Sequence, residues 1–323
     1  MPKSLSASII AGLLAMCPVI DGHASAGPVM QQQVVVGLLD TAVERSDFAR
    51  IRVTAKSFIP EGSTAARGSI GALTHADQVL LSMDRAAQRY SDRDIHVLAA
   101  NAMNESNGKT MISGKGMQAA LLWFRANGVK VVITTFASKA EVPSIKSFVD
   151  SANSLGMIVV SSIGNTTTDG VPFPAAYSSV IAVAGDQSGT SILKDRAFRE
   201  RIDIVGDGFG VVSSDQKEHR AISNSAIELN PMTQYNIEGS SFAAGAVGVG
   251  VAVAVAEIES ASVGELRLAL RANDDAFAGP KAGKSPLKIW NAAMPASIAA
   301  HFALARIPTS VGFTQSAALS IGR

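Results

Sequence analysis

From residue 34 to about residue 256, short apolar runs alternate with segments of helical pattern, and this alternation constrains the fold more than any other feature. The runs at 34–39, 94–100, 129–135, 157–162 and 179–184 are rich in Val, Ile and Ala and carry few charges. Runs of this length fit strands buried on both faces. A shorter run at 202–205 extends the series, and 51–53 makes a further short strand. Helical patterns begin near Leu73 and cover 116–126, 142–155 and 242–256. Asn127-Gly128 and Gly156 stop two of them, because glycine tolerates the left-handed turn that ends a helix. The alternation predicts an α/β fold: a three-layer, doubly wound, mostly parallel sheet with helices on both faces. Two more helices are expected near 263–271 and 292–305. The helix at 116–126 is expected to turn Leu121, Leu122 and Trp123 toward the sheet, and 104–108 reads as a polar loop.

Residues 1–26 have the plan of a secretory signal: Lys3, a mostly apolar stretch over 5–20, then Ala24-Ser25-Ala26 as a small-x-small cleavage site. The expected organisation is a signal at 1–26, one large domain at 27–306 and a tail at 307–323, with a secreted or periplasmic location. The single cysteine, Cys17, leaves with the signal, so the mature chain has neither a disulfide nor a thiol nucleophile. A formal net charge of +1 speaks against a nucleic-acid surface, and an aromatic content of 5% speaks against base-stacking platforms. The apolar run behind Ser241 ends at Glu257 and Glu259 and falls short of the ~18–20 residues needed to cross hydrocarbon. It is expected as a buried central helix, leaving no membrane span in the mature chain.

Four polar residues stand at the ends of these elements. Asp40 follows the first strand, where open α/β sheets place their chemistry, although alone it reads as well as an Asx-turn or helix cap. His75 lies at a helix start, and Asn165 follows the strand at 157–162. Ser241 sits where the polar Asn236-Ile237-Glu238 gives way to the apolar helix. Free N–H groups and the positive dipole end favour developing negative charge there, which suits a nucleophile. The plain alternative is that Ser241 is a helix N-cap.

The segments around these residues, taken in order, resemble those of the subtilisin-like serine peptidases (subtilases, S8), whose triad runs Asp, His, Ser along the chain. The likeness is carried by Gly37-Leu38-Leu39-Asp40-Thr41, Thr74-His75, Ser161-Ser162-Ile163-Gly164-Asn165, Phe173-Pro174-Ala175-Ala176-Tyr177 and Gly239-Ser240-Ser241-Phe242-Ala243-Ala244, and it spans about residues 34–303. It implies a subtilisin-like fold and a secreted or periplasmic serine endopeptidase acting on peptide or protein substrates. Ser241 would be the nucleophile, His75 its base, Asp40 the partner that orients His75, and Asn165 an oxyanion donor. Substrate would lie extended along Thr135, Phe136 and Ala137 through main-chain hydrogen bonds. The resemblance implies no cofactor for the chemistry. Structural calcium is common in the family, and no ligand run here places one.

The sequence also departs from the family pattern. Ala42, Ala72, Leu73, Ala137 and Gly245-Ala246 replace family residues, and the interval from Ala26 to Val34 is too short for the usual long propeptide. These departures keep a second reading open: a catalytically weak or inactive subtilase-fold protein that binds peptides or proteins through the cleft. A third, an unrelated periplasmic ligand-binding protein, would set Asp40, His75 and Ser241 far apart. Neither substrate preference nor oligomeric state has a signal in the residues.

Overall fold

The computed structural model describes residues 32–68, 73–167, 170–185, 195–211, 236–256, 258, 260–272 and 294–305. The expected signal at 1–26 with Cys17, the tail at 307–323 and Ala72 lie outside these residues. In chain order the elements are β1 (Gln32–Asp40), β2 (Ile51–Ser57), β3 (Thr64–Ala65), α1 (His75–Ala87), β4 (Arg93–Asn101), β5 (Met103–Ser106), β6 (Lys109–Ile112), α2 (Gly114–Ala126), β7 (Val131–Thr134) and α3 (Pro143–Ser154). They continue as β8 (Ile158–Ser162), β9 (Ile181–Gly185), α4 (Arg196–Arg201), β10 (Ile204–Gly206), β11 (Phe209–Val211), β12 (Asn236–Glu238), α5 (Ser240–Val255), α6 (Val263–Ala272) and α7 (Met294–Ala305).

Among the described residues, seven strands form one sheet in the order β10-β9-β8-β7-β1-β4-β2, with every neighbouring pair parallel. Parallel neighbours need long crossovers, and α1, α3 and α4 supply them between β2 and β4, β7 and β8, and β9 and β10. From β1 the chain fills the β4–β2 side before returning to β7 on the other. The carboxyl ends of β1 and β7 therefore flank a topological switch point, the position where open α/β sheets form their crevice.

Alternation along the strands divides the core. Val36, Leu38, Val97, Ile133 and Val160 face a cluster that includes Val79 and Met83 of α1 and Val247 and Val251 of α5. Leu39, Leu98, Val132 and Val159 face the opposite way, onto Leu121 and Phe124 of α2 and Phe148 of α3. The expected three layers are present. Helix α5 is apolar on all sides and is buried on all sides, between the sheet and helices α1 and α7. Its carboxyl end is held by Lys130, whose Nζ donates to the carbonyls of Ala256, at 3.0 Å, and Ile258. A cation there complements both the unpaired carbonyls and the helix dipole.

Two local expectations are corrected. Leu121 is buried, but Leu122 is 63% exposed and Trp123 is half-buried. At about 100° per residue, three consecutive side chains cannot share one face of a helix. The stretch at 104–108, expected as a polar loop, is most of β5 followed by a two-residue turn at Asn107-Gly108, and β5 pairs antiparallel with β6 across that turn. Asn107 and Gly108 take φ values of 52° and 70°, the pair of left-handed residues that a tight hairpin turn requires.

Close approach between α5 and the sheet rests on glycine. A Cβ at Gly248 would stand 2.3 Å from Ile133 Cγ1, an atom near the root of a rigid, buried side chain. Gly248→Ala should gain up to about 1 kcal/mol of helix propensity and lose more to overpacking, for a net loss of about 1–2 kcal/mol in urea unfolding. Adding Ile133→Val should recover part of that loss.

Candidate active site

Asp40 ends β1 with a side chain only 2% exposed. A charge in that position requires donors, and three converge on it. The Thr41 N–H donates to Oδ1 at 2.6 Å, the Thr135 hydroxyl to Oδ2 at 2.5 Å, and His75 Nδ1 lies 2.8 and 3.0 Å from the two oxygens. Burial pushes the Asp40 carboxyl up. The charge of His75 and the hydrogen bonds from His75, Thr135 and Thr41 outweigh it and hold the group below the ordinary aspartate value. Burial pulls His75 down, yet the charge and hydrogen bond of Asp40 outweigh that and hold the imidazole above its ordinary value. Because Nδ1 must carry the proton it shares with Asp40, a neutral His75 has its lone pair on Nε2.

His75 is the first residue of α1, and local capping fixes that start. Thr74 Oγ1 accepts from the Asp77 N–H at 3.1 Å, while the Thr74 N–H donates to Asp77 Oδ2 at 3.2 Å. This reciprocal pair is a capping box, with aspartate in the place usually held by glutamate. Thr41 Oγ1 accepts from the Ala76 N–H at 3.0 Å and ties the helix start to the end of β1. The other oxygen of Asp77 accepts from the N–H groups of Glu44 and Arg45, each at 3.0 Å. One helical face further on, Asp84 accepts from Ala49, Arg50 and Ile51 at 3.2, 2.6 and 3.0 Å. The loop between β1 and β2 thus hangs from α1 by its main chain.

Helix α5 brings the serine to the same place. The rings of His75 and Phe242 lie 6.2 Å apart, and α1 packs along α5 where Gly245 leaves room for Val79 and Met83. Ser82 Oγ donates to the Phe242 carbonyl at 3.0 Å and joins the two helices directly. Asp40, His75 and the Ser241 segment are therefore neighbours, contrary to an unrelated binding-protein fold. Ser241 is not the helix cap. Gly239 holds that position, and Ser241 Oγ donates to the Thr135 carbonyl at 3.3 Å. Among the hydrogen bonds of the described residues, none joins Ser241 Oγ to His75.

Asn165 lies across the helix start. Its Oδ1 accepts from the Ser240 N–H at 2.8 Å and from Ser240 Oγ at 3.1 Å. An N–H can only donate, so the oxygen faces the helix and Nδ2 remains as the outward donor. Gly239 keeps the neighbouring space open: a Cβ there would be 3.5 Å from Asn165 Nδ2. The Ser241 N–H, in the first turn of α5, has no carbonyl within the helix to receive it.

Thr135, Phe136 and Ala137 follow β7 at the switch point, and Phe136 is half-buried while Ala137 is exposed. Ser138 then pairs antiparallel with Phe173 through two main-chain hydrogen bonds of 2.8 Å, which closes that edge beyond Ala137. The hydroxyls of Thr41, Thr135 and Ser240 are site features that the sequence reading missed in those roles. The Thr41 and Ser240 hydroxyls meet partners from distant parts of the chain, Ala76 and Asn165, and Thr135 beside Asp40 needs the strand register. Among the described residues, no group of three or more His, Cys, Asp or Glu side chains could hold a metal ion, and no helix is long and apolar enough to cross a membrane.

The model of the subtilase family matches residues 92–284, more than half of the chain. Asp40 and His75 lie ahead of that stretch. Similar curated proteins include alkaline elastase YaB of Bacillus sp. (strain YaB), 29% identical over 190 residues that cover 56% of this chain and 47% of that protein. Subtilisin BL of Lederbergia lenta is 25% identical over 181 residues, covering 56% of this chain and 66% of that protein. The chain thus spans about half to two thirds of the length of these curated relatives. Among solved structures, fervidolysin from Fervidobacterium pennivorans, a keratinolytic enzyme related to subtilisin, superposes with a TM-score of 0.58 at 19% identity, over 81% of this chain and 42% of that one. The prenylagaramide maturation protease PagA gives 0.54 at 15% identity, over 83% of this chain and 93% of that one. At these identities the structures speak to the fold alone. With the family match over most of its length and a subtilisin-like sheet beneath it, this chain belongs to the subtilase family.

Proposed function

We propose that the protein is a secreted or periplasmic serine endopeptidase in which Asp40, His75 and Ser241 act together. The observation that carries this reading is the bond from His75 Nδ1 to a buried Asp40, 2.8 Å long, beside the amino terminus of the helix that bears Ser241. Peptide or protein is the substrate class, and the reaction needs no cofactor.

In this mechanism Ser241 Oγ leaves the Thr135 carbonyl by rotation about its Cα–Cβ bond and donates to His75 Nε2. As Oγ attacks the scissile carbonyl carbon, its proton passes to Nε2, and the imidazolium is stabilised by Asp40. The carbonyl oxygen becomes an oxyanion, received by Asn165 Nδ2 and the Ser241 N–H. His75 then protonates the leaving amine, the peptide C–N bond breaks, and an acyl-enzyme remains. Water attacks that ester with His75 again as base, releasing the acid product and restoring the Ser241 hydroxyl. The main chain of residues 135–137 offers the edge along which an extended substrate lies. Structural calcium, common in the family, is not part of this scheme.

The bond from Ser241 Oγ to Thr135, rather than to His75, favours a second reading: a weak or inactive subtilase-fold module that binds peptide in the cleft. A fluorophosphonate probe separates the two. Labelling of Ser241 in wild type, lost in His75→Ala, supports the peptidase; folded protein that resists the probe at neutral pH supports the binding module.

Further outcomes follow from the site. Activity as a base needs neutral His75, whose value is raised, so kcat/KM should fall as pH drops through a midpoint above the ordinary imidazole value of 6.5. Asp40→Asn removes the charge that raises it and leaves burial, so the His75 titration followed by NMR should drop below 6.5. Asn165→Ala should lower kcat by roughly 10²–10³-fold and also cost about 1 kcal/mol of stability, because it removes both an oxyanion donor and a helix cap. Asn165→Asp keeps the cap oxygen and should lose turnover with stability retained in urea unfolding.

A further inference from the structure

β1 and β7 are parallel neighbours in which Leu39 stands opposite Thr134. One residue further along, Asp40 and Thr135 come side by side at the carboxyl ends of the two strands. The register itself thus delivers a hydroxyl to the carboxylate. Thr135 is 7% exposed, so its hydroxyl has little bulk water to turn to, and it donates to Asp40 Oδ2. Its carbonyl accepts from Ser241 Oγ. One residue therefore touches both ends of the site, the acid through its side chain and the serine through its main chain.

The two oxygens of Asp40 have separate anchors, the Thr41 N–H on Oδ1 and the Thr135 hydroxyl on Oδ2. Anchors on both oxygens fix the rotation of the carboxylate about its Cβ–Cγ bond, and so the plane in which it meets His75. Each anchor also draws on the charge that His75 feels. Resting on the serine-peptidase reading above, we propose that Thr135 is a positioning residue, whose hydroxyl orients the Asp40 carboxylate and moderates its hold on the His75 proton. Without that hydroxyl, Oδ2 is left with a bare lone pair in a buried site, and imidazolium is its remaining strong partner. His75 then becomes a stronger base that is more often protonated at neutral pH, and its aim toward Ser241 loosens.

Among the described residues, other groups around His75 are neutral or already engaged. Helix α5 presents Phe242, the residue after β1 is Thr41, and the loop before α1 presents Gly68. Arg67 is paired with Glu44 at 2.8 Å, and Asp77, on the same helix as His75, takes the N–H groups of Thr74, Glu44 and Arg45. Asp40 is the charged group acting on His75.

The test compares full-length wild type, Thr135→Val and Thr135→Ser, each labelled with nitrogen-15, by following the His75 ring nitrogens through a pH titration. Valine keeps the branched shape and removes the hydroxyl; serine keeps the hydroxyl. The His75 midpoint should rise by about half a unit in Thr135→Val and stay near wild type in Thr135→Ser. The acid limb of kcat/KM should move in parallel, with kcat/KM at neutral pH down about tenfold in the valine variant and restored by serine. A wild-type midpoint in Thr135→Val overturns the proposal, as does an equal shift in Thr135→Ser, which would trace the effect to packing. Thr135→Ala answers the same question if the valine variant does not fold. The titration needs no turnover, so a shifted midpoint in protein that resists the fluorophosphonate probe would keep the coupling and remove the peptidase reading.

Discussion

A carboxylate buried at the end of an interior strand is the constraint from which the rest of the site follows. An isolated charge at Asp40 would cost several kcal/mol, and its donors come from three different parts of the chain. One is the next residue's N–H, one is a hydroxyl delivered by the neighbouring strand, and one is the imidazole at the start of α1. The last of these is the most demanding. It requires α1 to begin at the carboxyl end of the sheet and to stay there, and the capping box of Thr74 and Asp77 together with the Thr41 hydroxyl provides that. Asp77 and Asp84, two turns apart, then gather the N–H groups of the loop that α1 must leave in place. One buried charge is thus satisfied through a series of carboxylate–amide contacts that runs along α1.

The same site asks two helices to lie unusually close. His75 on α1 and Ser241 on α5 are brought together where α1 packs along α5, and there a residue without a side chain on one helix makes room for Val79 and Met83 on the other. Gly245 opens that approach toward α1, and Gly248 opens the opposite face toward Ile133. Each glycine costs about 1 kcal/mol of helix propensity relative to alanine. Burial of Val247, Val249, Val251 and Val255, each of the order of 1.5 kcal/mol or more, offsets this. The Ala, Gly and Val composition of the helix is therefore what an all-round buried element with close neighbours requires.

Much of the fold was legible because its strands are buried on both faces. Continuous apolar runs at β1, β4, β7, β8 and β9 announce themselves without any knowledge of their partners. The β5–β6 hairpin was not legible, although its Asn107-Gly108 turn was in plain view. Its arms, Met103–Ser106 and Lys109–Ile112, are mostly polar and exposed and lack a strand's alternation. Leu122 misled for the opposite reason: an apolar residue beside two others suggested a shared face that helical geometry forbids. In the candidate site, Asp40, His75, Asn165 and Ser241 could be picked out because each stands at the end of a recognisable element and the four follow the order of the subtilase pattern; alone, Asp40 and Ser241 read as well as caps. The hydroxyls of Thr41, Thr135 and Ser240 could not, since their partners are fixed by tertiary placement and by strand register, which no local pattern encodes.

The start of α5 shows how one side chain can be freed from capping by another. A serine at a helix amino terminus ordinarily turns its oxygen back onto the first N–H groups and stabilises the helix by about 1 kcal/mol. Here that task falls to Asn165, whose Oδ1 reaches across from the end of β8 to the Ser240 N–H and hydroxyl. Gly239 occupies the cap position with no side chain to compete. Ser241 is therefore left with its hydroxyl directed outward, onto the Thr135 carbonyl, while remaining within the positive end of the helix dipole. Asn165 gains a fixed orientation from the same contact, because an oxygen committed to the helix leaves its amide protons turned away from it. The cap oxygen and the free amide are two ends of one side chain, so whatever stabilises the helix start also aims the amide.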